Sequence, residues 1–142
     1  MKKLILAAAL LMLPAGPSFG QALKKGNLVG IHNYSVKLNP GVTREQYTDS
    51  ILNRLFPEME KNFQGLRMCL AKRVRGENDK PEFDVAFIFV FASEKDRGKY
   101  FTDAGGPTEL GEAVNKKLEP ISEELGKLGA ATRDRYTDWV IY

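Results

Sequence analysis

The chain has 142 residues, a formal net charge of +3 and 43% hydrophobic residues, which predicts one globular domain and excludes a disordered chain. A single Cys excludes a disulfide scaffold, and one His with one Cys excludes a zinc finger built from His and Cys alone. The sequence contains none of the glycine-rich nucleotide-binding motifs, and neither HExxH nor GxSxG.

The first 20 residues have the order of a secretory signal peptide. Lys2 and Lys3 precede an apolar run over residues 4–13 that is too short to span a bilayer, and small residues follow the helix-breaking prolines. We predict a signal peptide over residues 1–20, cleaved after Gly20 or Ala22. The protein is then exported, either to a periplasm or outside the cell, with no stable membrane insertion. The alternative is an uncleaved N-terminal anchor.

Removal of this segment takes away two lysines and no acid, which lowers the formal net charge from +3 to +1. A nearly neutral domain has no large phosphate-binding surface, so we predict no nucleic-acid partner. Cys69 is the only Cys and forms no internal disulfide in an oxidising compartment. It is interpreted as a small buried hydrophobe, with a reactive thiol as the alternative.

The first half of the mature chain predicts a strand, a helix and a second strand. Residues 26–38 alternate between two faces, which is typical of a strand, and a turn follows. Thr43 and Gln46 have the spacing of a capping box before an amphipathic helix that reaches residue 63, with Pro57 as a kink or break. Residues 66–75 alternate again and predict the second strand.

The second half predicts a strand, two helical pieces and a final strand. A polar turn over residues 76–81 leads to residues 83–92, a strand that is apolar on both faces and so belongs in the middle of a covered sheet. Ser93 and Thr108 are expected to cap a short helix over residues 94–102 and a longer helix that Pro120 kinks. Residues 132–142 predict the last strand.

The order β-α-β-β-α-β predicts an α+β fold, the ferredoxin-like plait, with a four-stranded antiparallel sheet and both helices on one face. The first and third strands form the central pair. The other sheet face is then apolar and uncovered, so we predict a homodimer in which two sheets pair as a dimeric α/β barrel.

Residues 32–43, His-Asn-Tyr-Ser-Val-Lys-Leu-Asn-Pro-Gly-Val-Thr, resemble the opening strand of the stress-responsive dimeric α/β barrel domain family. The resemblance extends over residues 27–142 and implies the same plait and homodimer. Some plant relatives in this family cyclise polyketides with two histidines and a tyrosine. Their first His corresponds to His32, and their Tyr, in the second helix, corresponds to Tyr100. The second His corresponds to Gly106, which cannot transfer a proton.

His32 has two interpretations: a proton-transferring group that faces a pocket, or a hydrogen-bonded histidine in the core. Tyr34 shares its strand face, and the resemblance brings Tyr100 towards it from the second helix. Both tyrosines are candidate ligand-binding residues, with an amphipathic core position as the alternative. The Phe-rich stripe of the third strand is interpreted as core and dimer interface, with a ligand cavity as the alternative.

The remaining polar residues give weaker signals. Lys72, Arg73, Arg75 and Lys80 mark either a solvated strand end or an anion site at the barrel rim. We predict no metal, because the carboxylates are scattered and no second imidazole exists. We also predict no cofactor: haem, which some related barrels bind through a histidine on a helix, would find only His32, on a strand.

Two functions therefore remain open. The preferred one is an exported homodimeric barrel that binds a small apolar or aromatic molecule, or acts as a structural stress-response module. The alternative is a cofactor-independent enzyme, cyclase- or monooxygenase-like, that uses His32 with Tyr34 or Tyr100 on a small aromatic or polyketide-like substrate. A cavity lined by His32 and a tyrosine would favour the enzyme, and a solid core around His32 would favour the first function.

Overall fold

The structure is a computed structural model that describes residues 23–75 and 85–142. The predicted signal peptide and the turn over residues 76–81 lie outside this part. The elements, in chain order, are β1 Leu28–Leu38, α1 Arg44–Ser50, a π-helical turn Ile51–Leu55, α2 Phe56–Asn62, β2 Leu66–Lys72, β3 Val85–Phe91, α3 Glu94–Gly98, α4 Glu109–Gly126 and β4 Gly129–Val140.

The described strands form one four-stranded antiparallel sheet in the order β2-β3-β1-β4. This is the ferredoxin-like arrangement, and β1 and β3 lie at its centre, so both predictions are confirmed. The pairing of β1 with β4 is regular from Leu28 to Asn33 and then shifts register at Tyr34. A β-bulge at residue 134 of β4 causes this shift, because Arg135 pairs with Asn33 and Arg133 with Tyr34.

The capping residues lie where the sequence predicts them. Thr43 and Gln46 form a complete capping box at α1. The Ser93 hydroxyl accepts from the Asp96 amide at 3.1 Å, and the Thr108 hydroxyl accepts from the Gly111 amide at 3.2 Å. Each cap satisfies an amide that has no partner within its helix.

The prolines have different effects. The helix predicted to end at residue 63 is divided by the π-helical turn, and Pro57 lies in the first turn of α2, where its missing N–H is tolerated. Pro120 does not divide α4, which continues from Glu109 to Gly126.

Several element boundaries differ from the prediction, and a tertiary contact accounts for two of them. The short helix α3 ends at Gly98 instead of residue 102, so Tyr100 lies in the following turn and not in a helix. A bridge between Phe101 and Pro107, with a 2.8 Å hydrogen bond from the Thr102 amide to the Gly106 carbonyl, closes a loop there and stops the helix. Strand β4 begins at Gly129, before the predicted residue 132, because it pairs with β1 as far as Leu38.

The two faces of the sheet differ in composition. The face under the helices carries Leu28, Val36, Met68, Phe87 and Phe91, which pack with Ile51, Phe56, Phe63, Val114 and Leu118 in one hydrophobic core. The opposite face, called the bare face below, consists at its centre of Val29, Ile31, Cys69, Ile88, Val90 and Trp139. None of these six residues belongs to the core cluster.

No helix within residues 23–75 and 85–142 combines the length and the apolar composition needed to cross a membrane.

Candidate functional site

A small cleft of about 50 Å³ opens on the helix-covered side of the sheet, where β1, β3 and β4 meet the loop that follows α3. We call it the His32 cleft. Its apolar walls are the rings of Phe89, Phe91, Phe101 and Tyr136, with Leu28 beside them. Its polar groups are His32, Arg97, Arg133 and Asp138.

His32 lies half buried at the centre of this cleft. Its imidazole ring lies 4.4 Å from the Phe89 ring and 5.4 Å from the Tyr136 ring, measured between centroids. The pKa of His32 is lowered from 6.5 to about 4, chiefly by burial and then by the positive charge of Arg133, against a smaller opposing effect of Asp138. The ring is therefore neutral at pH 7.

Two glycines leave the space for the cleft. A Cβ atom added at Gly30 would lie 2.9 Å from Asp138 Oδ1 and 3.5 Å from His32 Nε2. Gly30 has no side chain to fill this space, so its backbone forms the floor of the cleft. Gly105 has φ +81°, and a Cβ there would lie 2.8 Å from the Tyr136 hydroxyl. This left-handed conformation favours glycine and lets the loop lie against the Tyr136 ring.

Arg97 joins three parts of the cleft wall. Its Nε donates to Asp138 Oδ2 at 3.1 Å, and its Nη1 donates to the carbonyls of Phe101 at 3.4 Å and Thr102 at 3.1 Å. The guanidinium also lies 5.6 Å from the centre of the Phe101 ring. Arg97 thus fixes the loop after α3 to β4, and its charge is compensated by Asp138.

Arg133 reaches the same cleft because of the bulge in β4. In a regular strand, residues 133 and 136 point to opposite faces. The extra residue at position 134 reverses the alternation, so Arg133 lines the cleft together with Tyr136. Its guanidinium lies 5.1 Å from the centre of the Tyr136 ring, a cation–π contact. Bulges commonly redirect a side chain beside a functional site.

The structure does not bring Tyr34 or Tyr100 into the cleft. Tyr34 packs against Phe87, with 4.6 Å between ring centroids, and burial raises the pKa of its phenol. Tyr100 is 4% exposed, and its hydroxyl accepts a hydrogen bond from the Gln64 amide at 2.8 Å. The tyrosine that meets His32 is Tyr136. Gly106, which the resemblance aligns with the second family histidine, lies in the loop that follows α3.

The remaining candidate groups lie elsewhere. Cys69 is partly exposed on the bare face, and burial raises the pKa of its thiol, which disfavours the reactive thiolate. Lys72 ends β2, Arg73 and Arg75 follow it, and Lys80 lies outside the described residues. Among residues 23–75 and 85–142, no group of three or more His, Cys, Asp or Glu side chains is placed to hold a metal ion.

The chemistry open to the cleft follows from its neutral imidazole. A general base is most effective when its pKa lies near the working pH, and a pKa of about 4 makes His32 a weak base at pH 7. The neutral ring retains one hydrogen-bond donor and one acceptor. The low pKa of His32 therefore disfavours proton transfer at pH 7, and the neutral ring can still form hydrogen bonds to a small molecule.

No family model and no curated protein matches this sequence. The chain is similar to a crystal structure from Bacteroides fragilis NCTC 9343, described as a dimeric protein of unknown function and ferredoxin-like fold. The two chains are 13% identical with a TM-score of 0.41, and the match covers 82% of this chain and 98% of that chain. The resemblance to the stress-responsive family stays a prediction.

Proposed function

We propose that this protein is an exported, homodimeric ferredoxin-like barrel that binds a small aromatic or apolar molecule in the His32 cleft. The observation that carries the proposal is the meeting of a neutral imidazole with two aromatic rings above a glycine floor. Aromatic walls with a few convergent polar groups are typical of ligand sites.

The volume of the cleft limits the ligand. At about 50 Å³, it is smaller than the sites that enclose drug-sized molecules, which hold about 300–1,000 Å³. A second groove of about 280 Å³ adjoins it on the other side of the Arg97–Asp138 pair and shares Leu28 with it. A ligand with one ring has its polar end beside His32 and its remaining surface in this outer groove.

The homodimer follows from the bare face. Ile31 pairs in register with Ile88, which pairs with Cys69, and Val29 pairs with both Val90 and Trp139. Trp139 is 59% exposed, Ile31, Cys69 and Ile88 are partly exposed, and Val29 and Val90 are 8% exposed. The apolar centre of this face is bordered by Arg67 on β2 and Arg135 on β4. Monomers rarely leave such an apolar centre in water, and a second copy related by a two-fold axis would cover it with the same residues.

The enzymatic alternative is favoured by the criterion stated from the sequence, because the cleft is lined by His32 and by a tyrosine, Tyr136, that contacts it. Its difficulty is the low pKa of His32, which leaves the ring neutral but weakly basic at pH 7. Tyr100, the tyrosine implied by the family resemblance, is engaged with the Gln64 amide. We therefore propose binding as the function. Turnover of a small aromatic substrate would instead support proton transfer by His32.

The experiment uses the fact that the chain has one His. The ring NMR signals of His32 are followed in the untagged mature protein while phenol is added. We expect a saturable shift. Gly30→Ala fills the cleft floor and should abolish the shift, whereas the control Gly126→Ala, where an added Cβ meets nothing within 4 Å, should retain it. An unchanged His32 signal in the wild-type protein would refute the binding site.

A further inference from the structure

We propose that the ligand of the His32 cleft carries a single negative charge, a carboxylate on a small aromatic body, and that Arg133 pairs with it. This inference deepens the proposed function and depends on it. It rests on the arrangement of the charged side chains around the cleft.

The first step is the charge balance inside the cleft. Arg97 is committed to Asp138 and to two loop carbonyls, so these two opposite charges cancel. Arg133 contacts the face of the Tyr136 ring, which is uncharged and does not cancel the charge of the guanidinium. With His32 neutral, the polar groups that line the cleft leave one net positive charge.

The second step is the position of that charge. The bulge in β4 turns Arg133 from the bare face to the cleft face, so its guanidinium lies over Tyr136 and its charge acts on His32. A guanidinium can give a carboxylate two parallel hydrogen bonds, while the neutral imidazole donates one more. The ring of the ligand then extends past Phe89 and Tyr136 into the outer groove.

The third step limits the ligand to one charge. The adjoining outer groove is lined by Glu94 and Asp103 together with the Arg97–Asp138 pair. A second anionic group placed there would meet these carboxylates, and Arg97, the cation among the described residues that line the groove, is already paired with Asp138. The cleft therefore favours a monoanion over a dianion.

The test compares sodium benzoate with benzamide, which has nearly the same shape and no charge. Both are titrated into the mature wild-type protein at pH 7, and the His32 ring signals are recorded. We expect benzoate to bind about three- to tenfold more tightly than benzamide, as one partly exposed charge pair implies.

Two arginine variants complete the test, one at Arg133 and a matched control at Arg135. Arg133→Gln should reduce the affinity for benzoate to that for benzamide. Arg135→Gln removes the same charge from the same strand on the opposite face and should leave the affinity unchanged. Equal affinity for benzoate and benzamide, or benzoate binding that survives Arg133→Gln, would overturn the inference and leave the binding site intact. If neither compound shifts His32, the proposed binding function fails as well.

Discussion

Asp138 and Trp139 are consecutive on β4 and point to opposite sides of the sheet. Asp138 accepts from Arg97 at 3.1 Å in the His32 cleft, and Trp139 pairs in register with Val29 on the bare face. One strand thus contributes to both surfaces to which we assign a role. Since the chain has one His and one Trp, each surface has its own spectroscopic reporter.

The lowered pKa of His32 predicts a pH-dependent stability. The unfolded chain binds a proton at pKa 6.5 and the folded chain at about 4, so the unfolded state binds more protons between these values. The contribution of neutral His32 to the free energy of unfolding is complete above about pH 6.5 and is lost as the pH falls towards 4. Because the ring is only half buried, we expect a loss of about 1 kcal/mol at pH 5.

Urea unfolding of the wild-type protein and of His32→Gln at pH 7 and pH 5 measures this effect. The glutamine does not titrate, so the other groups cancel in the difference between the two proteins. The groups that face His32 and act on its charge are Arg133, Asp138 and Arg97. A difference that stays constant between pH 7 and pH 5 would show that the pKa of His32 is not lowered.

Tyr100 is expected to contribute to stability and not to ligand binding. Tyr100→Phe removes the acceptor of the Gln64 amide and should cost about 1–2 kcal/mol in the free energy of unfolding. Tyr142→Phe, at a residue that is 98% exposed, is the neutral control. Urea unfolding checks the prediction. If Tyr100→Phe kept the stability and lost the response of His32 to phenol, the tyrosine would have the ligand-binding role that the family resemblance implies.

Export predicts a shortened N-terminus. The mature protein should begin at Gln21 or Leu23, after cleavage at one of the two small-residue sites. Intact-mass measurement of protein recovered outside the cytoplasm identifies the first residue. A soluble cytoplasmic product that retains Met1 would contradict the prediction.

Much of the fold could be predicted because it depends on local signals. The alternation in β1 and β3 and the caps at Thr43, Ser93 and Thr108 require only neighbouring residues. The end of α3 could not, because a loop closed by the Phe101–Pro107 bridge determines it. Propensity within residues 94–102 contains no information about that contact.

The site was harder to predict than the fold. The face of His32 follows from strand alternation, and so does the shared face of Tyr136 and Asp138. Which of them meets His32 depends on the register between β1 and β4, which are far apart in the chain. Strand alternation predicts the wrong face for Arg133, because a bulge moves it to the cleft face. Arg97 reaches the cleft from the helix α3 through tertiary contacts.

The homodimer would bury the bare face of the sheet, and sedimentation equilibrium of the mature protein tests it most directly. We predict a dimer with an interface of about 1,200–2,000 Å² or more. Ile88→Arg, at the centre of the bare face, should give a folded monomer. Leu110→Arg, the same kind of change at an α4 residue that is 49% exposed, should remain a dimer. A wild-type protein that sediments as a monomer at micromolar concentration, or an Ile88→Arg variant that stays dimeric, would contradict the account.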